Sequence, residues 1–217
     1  MGAFYHRRED LPAKLNLLVL SGGLLLPRGQ VPLNVFEPRY LALVDTALKG
    51  NRLIGMIQPA ESEDMVLKPR LTAVGCAGRL TSFHENEDGR YLITLTGVCR
   101  FRVAAEVSGE TPYRIVEADF LPYIDDLKPV EDNGFPRDRL LAALHDYLSQ
   151  RDLKADWKNA VAAPPETLVG ALAMLCPFSP AEKQALLEAP TWPDRVETLI
   201  ALLEMANMTP PGAATVN

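Results

Sequence analysis

This chain has no apolar run of the roughly 18 residues needed to cross a bilayer. Its longest candidate, Leu15 to Leu26, is broken by Ser21-Gly22-Gly23 and closed by Pro27. The first ten residues, MGAFYHRRED, contain no apolar core of the kind a secretory signal needs, so secretion is not expected. Cysteine is scarce: Cys76, Cys99 and Cys176 are widely separated, odd in number and without CxxC spacing. That excludes a disulfide framework and a zinc site of the usual spacing, and points to reduced, buried thiols in a cytoplasmic protein. Only three histidines occur, His6, His84 and His145, none spaced with another His or Cys as a ligand set. No metal and no cofactor is therefore expected. No GxxxxGK[ST] phosphate loop occurs, so no ATPase module of that type lies in these residues. There is also no dense basic run. A net charge of −6 and a pI near 5.2 argue against binding nucleic acid or an anionic membrane.

What the chain does contain is enough apolar residue for one core with a helical annex, within 217 residues. The most instructive stretch is Val31 to Gln58. Val31–Phe36 is extended. Glu37-Pro38 then opens a helix, with Pro38 at the first helical position, where its missing N–H costs nothing. Tyr40, Leu41, Val44 and Leu48 are expected on its inner face, Asp45 and Lys49 as an outer i,i+4 pair, and Gly50 as its stop. Leu53–Ile57 reads as a buried strand. Further strands are expected at Asn16–Leu20, Leu24–Leu26, Ala73–Phe83, Arg90–Thr96, Cys99–Glu106 and Tyr113–Phe120. Gly75 and Gly78 suggest a bulge, and Asp88-Gly89 a hairpin turn with His84 in its loop.

The period then changes from 2 to 3.6. Residues 122–136 read as a turn-rich linker. A first helix is lined by Leu140, Leu141, Leu144, Tyr147 and Leu148. A second starts at Pro164-Pro165, carries Leu168, Leu172 and Leu175 inside, and ends at Cys176-Pro177. A third has a capping box, Ser179-Pro180-Ala181-Glu182. The fourth covers Thr191–Met205, with Val196, Leu199, Ile200 and Leu203 inside. Residues 209–217 read as a disordered tail. The organisation expected is a β-rich subdomain (1–122), a linker (123–136), a helical subdomain (137–207) and a tail (208–217).

Several of these pieces, in this order, carry a family resemblance: LSGGLLLPRGQVPLNVFEPRY (Leu20–Tyr40), LIGMIQP (Leu53–Pro59), VGCAGRL (Val74–Leu80), GVCRFRV (Gly97–Val103) and LCPFSPAEKQALLE (Leu175–Glu188). Together they resemble the N-terminal, substrate-binding domain of Lon proteases, from about Leu15 to Met205. The resemblance implies an α+β fold: an N-terminal PUA-like β pseudo-barrel with one embedded helix, followed by a C-terminal α-helical bundle. It also implies a part in substrate recognition. The ATPase and protease domains of a Lon protease are missing from these residues, and no Ser–Lys dyad can be assigned, so the chain looks like a standalone, noncatalytic recognition protein.

Candidate residues are weighed against plainer roles. Glu37 and Arg39 flank Pro38: Arg39 either faces a ligand groove or pairs with a nearby acid. On Arg100-Phe101-Arg102 the strand period puts Phe101 into the barrel and both arginines towards solvent or a partner, where Arg70 and Arg79 would join them in a modest basic surface. Glu37, Arg39, Arg70, Arg79, Arg100 and Arg102 are thus the candidate partner-binding set. Asp125-Asp126 and Glu61, Glu63 and Asp64 read as solvated loop acids. The partner expected is a protein or an unfolded peptide segment, with a protease or chaperone as a docking alternative. An extended peptide would add to a sheet edge or lie in a groove between barrel and helices. One alternative is a hydrolase with a dispersed site, for which Cys99 or Cys76 near His84 is the pair to examine. Another is an RNA-binding protein, since PUA-like folds also bind RNA; the charge opposes it.

Overall fold

The computed structural model describes residues 5–60, 68–130, 134–151 and 157–208. The acids Glu61, Glu63 and Asp64 and the tail 209–217 lie outside the described residues. Six strands form one mixed sheet: Lys14–Val19 (β1), Gln30–Val35 (β2), Leu53–Ile57 (β3), Val74–Glu85 (β4), Tyr91–Val107 (β5) and Arg114–Asp119 (β6). The spatial order is β2-β5-β4-β3-β1-β6, and β6 also pairs with β5. Five strands therefore close on themselves, and β2 adds to the outer length of β5 as a flanking strand. All pairings are antiparallel except β1 with β3. The long β5 makes this possible: its first part carries β2, its last part β6, and Tyr91 to Arg102 pair with β4 on the other edge. Register shifts at Ala77/Gly78 and Leu80/Ser82 are the bulges that Gly75 and Gly78 suggested. They raise the local twist and curvature a closing sheet needs.

The interior is organised around Phe101, which is fully buried. A Cβ on Gly75 would lie 2.6 Å from its ring and one on Gly55 3.2 Å from it, so these two glycines make the slot that the ring occupies. The expected strand at Leu24–Leu26 is a loop instead, although all three leucines are buried. Its carbonyl end lies against β5, where a Cβ on Gly97 would sit 2.0 Å from the Leu26 oxygen.

Helix Pro38–Lys49 (α1) has the bounds expected from Pro38 and Gly50. Its buried face is Tyr40, Leu43, Val44 and Ala47, rotated from the expected one; Leu41 and Leu48 are only half-buried. The small Ala47 permits close approach to the sheet, and Tyr40 Oη donates to the Val19 carbonyl at 2.8 Å. Asp45, expected to pair with Lys49, accepts from Tyr91 Oη at 3.2 Å.

The second half holds Arg137–Gln150 (α2), Trp157–Ala162 (α3), Pro165–Leu175 (α4), Pro180–Glu188 (α5) and Trp192–Met208 (α6). The short α3 has no counterpart among the expected helices. The capping box of α5 is present, with Ser179 Oγ accepting from Glu182 N and Glu182 Oε2 from Ser179 N at 2.7 Å. In α4 the buried residues are Leu168, Val169 and Ala173, whereas Leu175 is 81% exposed. The stripe is offset by one residue because Cys176-Pro177 turns the chain away before Leu175 meets a neighbour. One continuous apolar core runs from Leu11 to Leu203 through both halves. The stretch expected as a linker forms a 3-10 turn at Leu121–Leu127 with Tyr123 buried against β5. Among the described residues, no helix is long and apolar enough to cross a membrane.

Candidate polypeptide-binding groove and the two seams that frame it

The barrel meets the helices along two seams of different chemistry. The first is charged. Arg100 sits on β5 between buried Cys99 and Phe101 and is itself 3% exposed. Its Nε and Nη2 each donate at 2.9 Å to the Asp126 carboxylate, and its backbone N–H donates to the same group at 3.0 Å. Its Nη1 donates to the carbonyls of Leu187 and Ala189 at the end of α5. Stacking on the Tyr123 ring, 4.4 Å away, completes the enclosure. Arg195 on α6 is a second buried cation; its Nε donates to the Leu186 carbonyl at 3.1 Å. Burial, and next the neighbouring Arg100 charge, push its pKa down to about 10. Its Nη2 has no hydrogen-bond partner among the described residues. Further out, Arg28 binds Glu166 of α4 through Nε and Nη2 and gives Nη1 to the Asp126 carbonyl.

The second seam is built from amides. Gln58, 2% exposed at the end of β3, accepts from Gly22 N at 2.9 Å and donates to the Pro180 carbonyl and Gln184 Oε1. Gln184 in turn donates to the Val74 carbonyl and Glu188, and Lys183 Nζ reaches the Gly22 carbonyl at 2.9 Å. Beside these amides lies a groove of about 630 Å³ between the barrel and α5. Its surface is largely apolar, with Pro59, Ala181 and Ala185 along it and Gln58, Thr72 and Gln184 at its polar positions. Ala181 and Ala185 are exposed, and their small side chains on one face of α5 leave the groove open. No direct sign of these residues stands in the sequence. The available signals were the capping box that starts α5 and a Gln-Pro step closing an apolar strand.

The six candidate residues do not converge. Glu37 and Arg39 form an exposed ion pair at 2.7 Å, and Arg39 also stacks on Tyr40. Arg39 borders a polar hollow of about 480 Å³ with Lys68, Glu106 and Arg114. Arg70 lies at a neighbouring hollow that shares the last three. Arg79 is elsewhere, on β4, with its Nη1 donating to Tyr5 Oη at 2.9 Å. Arg102 is exposed between Val74 and Asp119. Arg100, expected to point to solvent or a partner, is instead enclosed, because Asp126 and the helix carbonyls cover its side of the strand. Asp126, expected as a solvated loop acid, is the buried half of that ion pair, with its side chain 9% exposed.

The cysteine–histidine pair considered for a hydrolase is not assembled. Cys76 and Cys99 are fully buried, and burial raises both thiols, Cys76 to about 12. Such thiols carry almost no thiolate near neutrality. His84 lies on β4 opposite Leu92, not in the hairpin loop. Eight residues along one strand separate it from Cys76, on the order of 25 Å. Among the described residues, no group of three or more His, Cys, Asp or Glu comes together as a metal site.

A mixed sheet that closes on itself, the α1 excursion and the helices docked along two seams define an α+β domain. The chain belongs to the family of the ATP-dependent protease La (LON) substrate-binding domain, whose model matches residues 14–205. It is 28% identical over 218 residues to the peroxisomal Lon protease homolog 2 of Danio rerio, covering 89% of this chain and 25% of that protein. It is 30% identical over 126 residues to a Lon protease of Anaeromyxobacter dehalogenans, covering 56% of this chain and 15% of that one. The chain thus spans a quarter or less of these curated relatives. Among solved structures, it is similar to a Lon N-terminal domain protein from Xanthomonas campestris, with TM-score 0.59, 25% identity, and coverage of 88% of this chain and 98% of that one. The N-terminal domain of a Mycobacterium avium complex Lon protease shares the fold, with TM-score 0.62 at 17% identity over 90% and 98%.

Proposed function

We propose that this chain is a noncatalytic module that binds extended, apolar segments of polypeptides, in the service of proteolysis or protein quality control. The observation that carries the reading is the α5 groove: a largely apolar trough with amide groups at its side, in a member of a substrate-binding family. Apolar burial would supply affinity there and amides would meet the bound backbone, with no bond broken. In the same reading the barrel is a PUA-like pseudo-barrel and the helices a bundle built on it. The closed five-strand ring and the continuous core support both. The exposed charges Glu37, Arg39, Arg70 and Arg102 are proposed as outlying contacts for a bound partner. A cytoplasmic location suits three free, buried thiols.

The test is fluorescence anisotropy of a labelled, permanently unfolded polypeptide titrated with this protein, beside a folded control and a gel that reports cleavage. Saturable binding of the unfolded chain without cleavage, weakened about tenfold or more by Ala185→Trp, supports the reading. Absence of binding at high micromolar concentration, or binding indifferent to Ala185→Trp, overturns it.

A further inference from the structure

Among the described residues that line the α5 groove, one is charged: Glu188, exposed in the last turn of α5. Its carboxylate accepts from Gln184 Nε2 at 2.7 Å and forms no ion pair with a described residue. A neutral amide donor leaves the negative charge in place. The cations nearest in sequence or in the fold are engaged elsewhere. Lys183 Nζ donates to the Gly22 carbonyl, and its position lies about 140° round the helix from Glu188. Arg100 and Arg195 take the carbonyls of Leu186, Leu187 and Ala189 at that end of α5. Those bonds offset the negative pole of the helix, so the charge a ligand meets in the groove is the Glu188 carboxylate itself.

The opposite wall of the groove offers a backbone acceptor. β1 pairs with β3 as far as Ile57, whose carbonyl accepts from Leu20 N, and the chain then turns away through Ser21-Gly22. Beyond that point the continuation of β3 bonds to its other neighbour: the Gln58 carbonyl accepts from Thr72 N, and Ala60 N donates to the Arg70 carbonyl. Strand alternation turns the Pro59 carbonyl between them to the side that β1 has left, where no described group donates to it. An acceptor on a vacated sheet edge suits an extended chain, whose N–H groups supply the donor. On the helix wall, Ala181, Ala185 and Glu188 fall on one face of α5. They span seven residues of helix, about 10 Å, which is the length of about three residues of extended chain.

We propose that the α5 groove selects apolar segments, about three residues long, that are flanked by lysine or arginine. The apolar side chains pack on Pro59, Ala181 and Ala185, a backbone N–H donates to the Pro59 carbonyl, and the flanking cation meets Glu188. This rests on the reading of the groove as a polypeptide site and adds what that site prefers. Acidic flanks meet a like charge and are selected against. Glu188 is exposed, so the pair contributes at most about fivefold in affinity, and the contribution fades as salt screens it.

The experiment is competition by unlabelled peptides against the labelled unfolded polypeptide, read by anisotropy with the full chain. Three acetylated and amidated peptides share one leucine-alanine-valine core and carry lysine, glutamine or glutamate on both sides. In about 20 mM salt the lysine peptide should compete about fivefold better than the glutamine peptide, and the glutamate peptide worst; in about 0.5 M salt the order should collapse. Glu188→Gln keeps an acceptor for Gln184, so it should remove the preference while leaving the melting temperature within a few degrees. Glu110→Gln makes the same change of net charge in the loop between β5 and β6, away from the groove, and should leave the preference intact. Equal competition by the three peptides in low salt, a preference that survives Glu188→Gln, or one lost equally in Glu110→Gln overturns this inference and leaves the polypeptide site standing. So does failure of all three peptides to displace an unfolded chain that itself binds. An unfolded chain that does not bind at all overturns both.

Discussion

The two seams join the same barrel to the same helices, yet one does so with guanidiniums and the other with amides. At the charged seam Arg100 makes bonds that no neutral side chain of its size reproduces, reaching a carboxylate and two helix carbonyls from one planar group. The cost is desolvation, and it is visible at Arg195, a second buried cation whose pKa is depressed and whose Nη2 has no partner among the described residues. At the amide seam Gln58 and Gln184 satisfy one another and the backbone with no charge to desolvate. The charged seam therefore fixes orientation at high stakes, while the amide seam leaves a largely apolar groove beside it, with Glu188 at its edge.

The sharpest way to break the comparison is Arg100→Met. It leaves the Asp126 carboxylate buried without its partner and two carbonyls without their donor, and should destabilise the fold by about 3–5 kcal/mol in urea unfolding. A loss below about 1 kcal/mol would mean the seam is not held by charge. Gln58→Leu removes three hydrogen bonds but no charge, so a smaller loss of about 1–3 kcal/mol is expected, and it should not vary with salt. Arg195→Met tests the desolvation argument: a loss of no more than about 1 kcal/mol is expected, since the cation it removes has no carboxylate partner of its own among the described residues. A loss as large as that of Arg100→Met would show that Arg195 contributes favourably to the seam.

The smallest effect lies off both seams and is read from the pH dependence of stability in acid. Glu106 on β5 is held by hydrogen bonds from Arg114, and then from Lys68, at a pKa of about 2, below its ordinary 4.5. A depressed carboxylate contributes stability above its unfolded-state value, and that contribution is lost as pH falls from about 4.5 through about 2. Glu106→Gln should flatten the unfolding profile in that window, lowering stability at pH 7, where the contribution is complete, and changing it little near pH 2, where the contribution is already lost. The amide seam should show no dependence on pH in the same window.

Much of the fold was legible because its signals are local. Pro38 and Gly50 bound α1, and the Ser179 and Glu182 pair starts α5, since each acts on backbone groups within one helical turn. Phe101 was placed in the barrel by strand alternation alone. The same alternation misplaced Arg100. It gives the face of a strand but not what covers that face, and the covering groups lie 26, 87 and 89 residues further along. The inner faces of α1 and α4 were misjudged by one position for a related reason. Hydropathy favours leucine over alanine, whereas close packing, on the sheet for α1 and on α5 and α6 for α4, favours the smaller side chain.

The sequence by itself determined most of the elements, their order, the inward face of Phe101 and the family to which the chain belongs. These depend on short-range sterics, capping and period, which a linear string records. Only the tertiary structure decided that Arg100 and Asp126 are buried partners, that Cys76 and His84 stay apart, and that a largely apolar groove opens beside the amide seam. Those outcomes turn on which distant groups meet and how much water they exclude, and both are set when the sheet closes and the helices dock on it.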